Sequence, residues 1–111
     1  NLILNAHQAM SERGGRLEIL ATAKDERVEV DVRDTGPGIP HDKLSKIFDP
    51  FYTTKHNGSG LGLFVSQRII RAHNGTIEVR SLEGQGTTFM IRLPIFQGAA
   101  QSLTKPLVNP A

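Results

Sequence analysis

Four groups of residues in this 111-residue chain have the types and spacing to do chemistry. Asn1, Asn5 and Gln8 lie four and three residues apart, which puts three amides on one face of a helix. An amide oxygen is a neutral, hard ligand suited to Mg²⁺ shared with phosphates. A solvated polar face with Asn1 as N-cap fits the same spacing. Asp34-Thr35-Gly36-Pro37-Gly38-Ile39-Pro40 joins a carboxylate to two glycines. An ionised Asp accepts from an exocyclic amine such as that of adenine, and glycine lets the backbone come close to a ligand. An Asp-initiated turn is the plainer reading of the same residues. Gly58-Ser59-Gly60-Leu61-Gly62-Leu63 leads into a helical pattern, so that unpaired N–H groups and a positive dipole end face any anion placed there. It lacks the Gly-Lys-Ser/Thr of a Walker loop and the glycine spacing of a dinucleotide fingerprint, and alone it fits a flexible loop as well. Gly84-Gln85-Gly86-Thr87, taken alone, reads as a hairpin tip.

The elements that must position these groups follow from periodicity. Leu2, Ile3, Ala6, Ala9 and Met10 recur at helical spacing, and Gly14 is placed as the helix end. Leu17, Ile19 and Ala21 alternate in a strand over 17–23, and Val28, Val30 and Val32 alternate with Glu29, Asp31 and Arg33 in a second. A polar turn at 24–27 joins them, and a Gly/Pro-rich turn fills 34–40. A short helix is expected over 42–48 and an irregular polar stretch over 49–60. A second helix over 61–73 carries Leu61, Val65, Ile69 and Ala72 on its apolar side, with Gly75 as its cap. Two alternating strands, 76–80 and 87–93, flank the loop 81–86. The order helix, two strands, helix, two strands predicts an α+β fold of two layers, helices on one face of a mixed, largely antiparallel sheet.

Size and composition bound what this scaffold can be. One domain fits the length. There is no Cys, which removes disulfides, thiolate metal sites and thiol nucleophiles together. A net charge of +2 is too balanced to argue for nucleic acid or a membrane surface. From Asp42 to Gly75, however, five Lys or Arg face two acids, a local excess that a polyphosphate site needs and that a solvated surface also tolerates. The chain opens on Asn1 already within a helical pattern, as expected of a piece of a longer protein, and no secretory leader is read at this end. Residues 97–111 are rich in small residues and Pro, and are expected to be a disordered tail behind a domain of 1–96.

Together the clusters resemble the ATP-binding catalytic domain of sensor histidine kinases, in the superfamily shared with type II topoisomerases, mismatch-repair ATPases and heat-shock chaperones. NLILNAHQAM resembles the family's N box, DVRDTGPGI its first glycine box, KIFDPFYTTK its F box, GSGLGLFVSQRII its second glycine box and GQGTTF its Gly-Thr box. The likeness covers residues 1–95 and is greatest to the nitrogen-regulation type. It implies the two-layer α/β sandwich of the Bergerat ATP-binding fold, with ATP and Mg²⁺ as cofactors.

The resemblance also implies residue roles. Asn5 is the principal Mg²⁺ ligand, with Asn1 assisting. Asp34 accepts from the adenine amine and Thr87 supports it. Gly36, Gly38 and Ile39 close the adenine pocket. Residues 48–55 form most of a mobile lid, in which Phe48 and Phe51 are expected to pack as anchors and Lys55 to contact phosphate as a catalytic residue beside Asn5. Gly58, Ser59, Gly60, Leu61 and Gly62 hinge the lid and bind phosphate.

None of His7, His41, His56 and His73 sits in the sequence context of the family's phosphoacceptor. The resemblance therefore implies a kinase fragment that is not self-sufficient. Its partners are a dimerisation and phosphoacceptor domain of the same parent and, indirectly, a response regulator. Neither nucleic acid nor membrane contact is expected, and the domain is expected in the cytoplasm even where the parent is membrane-anchored. Two rivals remain. Hydrolysing relatives carry a general-base Glu four residues before the metal Asn, where this chain has Asn1, an amide that cannot take a proton from water. The second is a catalytically silent nucleotide-binding docking module.

Overall fold

A computed structural model of the chain describes residues 1–53 and 60–95. Lys55, His56, Gly58, Ser59 and the expected tail lie outside the described residues. Helix α1 (Leu2–Ala9) buries Leu2 and Ala6, one turn apart, and ends with Met10 as C-cap, short of the Gly14 that spacing suggested. The polar run Ser11-Glu12-Arg13 has no apolar residue to continue the buried stripe, and the Gly14 N–H closes a turn onto the Met10 carbonyl at 2.7 Å.

Strands β1 (Leu17–Lys24) and β2 (Arg27–Asp34) form a hairpin. Asp25 and Glu26 carry φ of 54° and 60°, the pair of positive values that matches a two-residue turn to the strand twist. A short 3-10 helix (His41–Lys46) stands where the short helix was expected. Helix α2 (Gly62–Ala72) leads to β3 (Thr76–Leu82) and β4 (Gly86–Pro94). The sheet order is β1-β2-β4-β3, and all three pairings are antiparallel. Among the described residues the sheet has no parallel pair.

Alternation puts Val32, Phe89 and Ile77 on one face of the sheet, where Leu2, Ile47 and Ile70 complete the core. Phe48 packs edge-on against Phe89, with ring centroids 6.2 Å apart. α2 meets this core with Leu63 and Ile70, seven residues apart, and leaves Val65 and Ile69 exposed. The expected apolar side of α2 was thus the wrong one. The helix carries two apolar stripes, and the sheet takes the one that Ile70 extends. Its end also differs from expectation. Asn74 takes the left-handed conformation (φ 61°), while the Gly75 N–H returns to the Ile70 carbonyl at 2.9 Å and that of Asn74 to Arg71 at 3.0 Å.

The other sheet face is charged. Arg92 on β4 bonds Glu29 on β2 at 2.8 Å and Glu78 on β3 at 2.6 Å, a tie across three strands. Arg92 in turn holds the Glu78 carboxyl below its usual range. Beside it Asp31 has an Oδ1 that is buried without a hydrogen-bond partner. Burial first, and then the neighbouring Glu29, raise its pKa above the usual 3.8.

A raised folded-state pKa means that the stabilising form is the protonated one. Its contribution is present below the unfolded pKa and lost as pH rises through the folded value. Asp31→Asn is therefore expected to raise stability at pH 7 by about 1 kcal/mol, with the gain vanishing in acid, where Asp31 is itself neutral. Thermal melts of both proteins across pH check this, and an equal gain at every pH contradicts it.

Candidate functional site

The register of the central strand pair builds the site. Asp34 closes β2 and Thr87 lies opposite it near the start of β4. Both are buried, at 7% and 6% exposure, the two buried polar residues of the described chain. They line a cavity of about 590 Å³ walled by one side of α1, the turn after β2, the first turn of α2 and the Tyr52–Thr53 segment. That volume lies in the range of small-molecule sites.

Most of the residues picked from the sequence converge here. Asn1, Asn5, Asp34, Gly38, Ile39, Gly60, Gly62 and Thr87 line the cavity, as does Gln8. Gly36 lies behind the wall, its N–H donating to Asp34 Oδ1 at 2.9 Å, which orients the carboxylate. Leu61 is the N-cap of α2 and does not line the cavity. Lys55, Gly58 and Ser59 lie outside the described residues. The amide-bearing side of α1 thus faces the cavity, with Leu4 and Ala9 beside it.

Phe51 does not pack as an anchor. It is 71% exposed at φ 68°, and Tyr52 takes the place against the core. The Phe51 backbone does the holding instead, its N–H donating to the Gly60 carbonyl at 2.8 Å. Gly60 has φ 75°, and a Cβ there would overlap the Phe51 backbone, so this closure requires glycine. Gly38 is held alike, with φ 77° and the Leu82 carbonyl oxygen against the place of a Cβ. The hairpin tip reinforces that contact through the Gly84 N–H, which donates to the Pro37 carbonyl at 2.7 Å.

The two ends of the cavity differ chemically. Ala9 and Met10 at the end of α1 approach Gly36, which bonds Asp34, whereas Asn1 at its start approaches α2. Eight helical residues separate these ends by about 12 Å. Asn1 occupies the N-cap position without capping its own helix. Its Nδ2 donates across to the Gly62 carbonyl at 3.2 Å and to Ser66 Oγ at 3.0 Å, and Ser66 itself donates to the Gly62 carbonyl at 2.8 Å. With its nitrogen so committed, the Asn1 amide keeps its oxygen as an acceptor. At α2 the first intrahelical bond is Val65 N–H to the Leu61 carbonyl, so the N–H groups before it have no acceptor within the helix, and no acid stands in the first turn. This end suits an anion.

Asp34 and Lys43 are the charged residues of the described lining, and no cluster of three His, Cys, Asp or Glu occurs among the described residues. A divalent cation here would rest on amide oxygens and on the oxygens of a bound phosphate. Mg²⁺ tolerates such a donor set, because it keeps much of its own shell. Periodicity could not reveal Lys43 or Ser66 as parts of the site. Lys43 is one of the five basic residues of 42–75, and Ser66 lies inside the stretch that resembles the second glycine box, but the resemblance gives neither a role there.

Several comparisons bear on this cavity. The profile of a family described as histidine kinase-, DNA gyrase B-, and HSP90-like ATPase matches residues 1–97. The signal transduction histidine-protein kinase AtoS of Escherichia coli (strain K12) is 48% identical over 95 residues, covering 86% of this chain and 16% of AtoS. The nucleotide-free catalytic domain of histidine kinase ThkA superposes with a TM-score of 0.73 at 37% identity, over 84% of this chain and 60% of that one. Full-length ShkA in complex with AMPPNP superposes with a TM-score of 0.71 at 34% identity, over 84% of this chain and 20% of ShkA. The chain therefore spans about a sixth of the length of AtoS. Among the described residues no helix is long and apolar enough to cross a membrane.

Gly62 offers a test that separates fold from site. Among the described residues a Cβ there would meet nothing nearer than the Asn1 side chain, at 3.8 Å, so none of them demands glycine at this position. Gly62→Ala is expected to leave stability unchanged or raise it by about half a kcal/mol at most, since Gly62 is the first residue of α2 rather than an interior one. It should weaken nucleotide binding about tenfold by filling the cavity beside Asn1. Calorimetric melting and titration with ATP check both halves, and unchanged affinity contradicts the assignment.

Proposed function

The chain belongs to the family of histidine kinase-, DNA gyrase B- and HSP90-like ATPases, and from that premise we propose that it is the ATP-binding catalytic domain of a two-component sensor histidine kinase. It binds ATP with Mg²⁺ and donates the γ-phosphate to a His on a dimerisation domain of the same parent protein, from which a response regulator receives it. The domain works in the cytoplasm, where ATP is.

One observation carries this reading: a single cavity has a paired carboxylate and hydroxyl in its wall and, where α1 begins, the Asn1 amide bonded to the N-terminus of α2, with the Asn5 amide also in the lining. Asp34 and Thr87 take the adenine end. Asn1, Asn5 and Gly62 take the phosphate end, where Asn5 is the principal metal ligand and Asn1 assists. Bound Mg²⁺ would neutralise phosphate charge and hold the chain of oxygens in place. Gly36, Gly38 and Ile39 shape the base pocket. Gly60 and Leu61, with Lys55, Gly58 and Ser59 beyond the described residues, contribute to the lid and the phosphate contacts.

Among the described residues the phosphate end offers no carboxylate or imidazole to accept a proton, which supports transfer over hydrolysis. The carboxylate among the described lining residues is Asp34, already bonded through Oδ1 to Gly36. Asn1 is an amide and holds α2 by its nitrogen. Activating water needs a base within reach, whereas an acceptor imidazole brings its own nucleophilic nitrogen. Transfer then depends on bringing that nitrogen in line with the γ-phosphate.

Incubating the protein with γ-labelled ATP, alone and then with a separately made dimerisation domain, tests the proposal. Acid-labile label is expected on the added domain alone. Release of free phosphate without label on any protein supports the hydrolase reading instead. Asp34→Ala should weaken ATP binding by about 1–3 kcal/mol, roughly 10- to 100-fold, in a titration. Asn5→Ala should abolish transfer and remove the dependence of ATP affinity on Mg²⁺. Normal transfer by Asn5→Ala at limiting Mg²⁺ contradicts its metal role.

A further inference from the structure

We propose that Ser81 is a positioning residue that fixes the Thr87 hydroxyl as an acceptor, so that the cavity selects a base with an exocyclic amine over one with a carbonyl. This rests on the nucleotide reading above and extends it to a residue that does not line the cavity.

Ser81 lies on β3 directly opposite Thr87 on β4. Its Oγ makes three contacts. It receives the Ile39 N–H at 2.7 Å, donates to the Gly86 carbonyl at 2.9 Å, and stands 2.8 Å from Thr87 Oγ1. One residue thereby joins the turn after β2, the tip of the β3–β4 hairpin and the buried hydroxyl of the site.

Counting protons decides the direction of the third contact. A backbone N–H only donates and a carbonyl only accepts, while a serine hydroxyl has one proton and two lone pairs. Ser81 gives its proton to the Gly86 carbonyl and accepts from Ile39. The bond to Thr87 then forms only if Thr87 donates. Reversing it would leave the contact between Ser81 and Gly86 without a proton. The single Thr87 proton is thus committed away from the cavity, and the lone pairs of Oγ1 remain for whatever binds there.

Asp34, opposite Thr87 in the strand pair, is also an acceptor, with Oδ1 held by the Gly36 N–H. The base end therefore offers acceptors from both residues. An amino group satisfies them directly or through a water. A carbonyl oxygen in the same place meets lone pairs, and leaving buried polar groups unpaired is what makes such a site discriminate. Freed from Ser81, the Thr87 hydroxyl could turn and donate to that carbonyl.

The test compares ATP with ITP, whose base carries a carbonyl in place of the amine, by titration calorimetry. Ser81→Ala should lower the ratio of ATP to ITP affinity about tenfold, and Ser81→Thr, which restores a hydroxyl, should return it towards the starting value. A purely structural role for Ser81 weakens both nucleotides alike, and an unchanged ratio overturns the proposal. Should Ser81→Ala not fold, Thr87→Val and Thr87→Ser take its place. The first is expected to lower the ratio and the second to keep it, and an unchanged ratio in Thr87→Val again overturns the proposal. Failure of the unsubstituted protein to bind ATP overturns the nucleotide reading and this assignment with it. A ratio of ATP to ITP affinity that is unchanged by loss of the Ser81 hydroxyl, in a protein that still binds ATP, overturns this assignment alone.

Discussion

The pairing of β2 with β4 is the constraint on which the rest depends. These strands are distant in sequence, and everything from the turn after β2 through α2 and β3 is looped between them. Their register is set by burial: Val32 faces Phe89 and Val30 faces Ile91 on the core side, while Glu29 and Arg92 meet on the other. A slip of one residue would turn the valines outward and the charges inward, which the core cannot accommodate. The same register, carried to the end of the pair, sets Asp34 against Thr87. The polar heart of the site is thus a by-product of the hydrophobic alternation.

A second tie converts that polar pair into a two-ended cavity. α1 runs along the wall, its end near Gly36 and its start bonded to the first turn of α2 through Asn1, Gly62 and Ser66. Because these bonds join two helix starts, the Asn1 amide and the N-terminus of α2 come to one place. In the proposed reading, one end takes the base and the other the phosphates, and the length of α1 sets their separation. The closure of Phe51 onto Gly60 brings the chain back to α2 at that same end.

Much of this was legible in the sequence because it is local. Val28, Val30 and Val32 announce a half-buried strand by alternation alone, and the hairpin turn at Asp25 and Glu26 sits within the polar stretch expected to turn. The amide face of α1 and the carboxylate ending β2 were found from spacing and type, and both line the cavity. What escaped was whatever depends on a distant partner. α2 has two candidate apolar stripes, and only the sheet beneath it decides between them. Phe51 is an aromatic that a sequence reading packs inward, yet a left-handed backbone turns it to solvent. Ser81 gave no signal, since its importance lies in an acceptor contact to Ile39, 42 residues away in sequence.

The central claim is the polarity of the cavity, with the base at Asp34 and Thr87 and the phosphates at Asn5 and Gly62. The most direct measurement is amide NMR of the protein titrated first with adenosine and then with AMPPNP and Mn²⁺, whose paramagnetism broadens nearby signals. The account predicts that adenosine shifts the resonances of Gly36, Gly38 and Thr87 alone, and that Mn²⁺ with AMPPNP broadens those of Asn5, Gly62 and Leu63 most strongly. Broadening centred on Gly36 and Thr87, with adenosine shifting the start of α2, would contradict it.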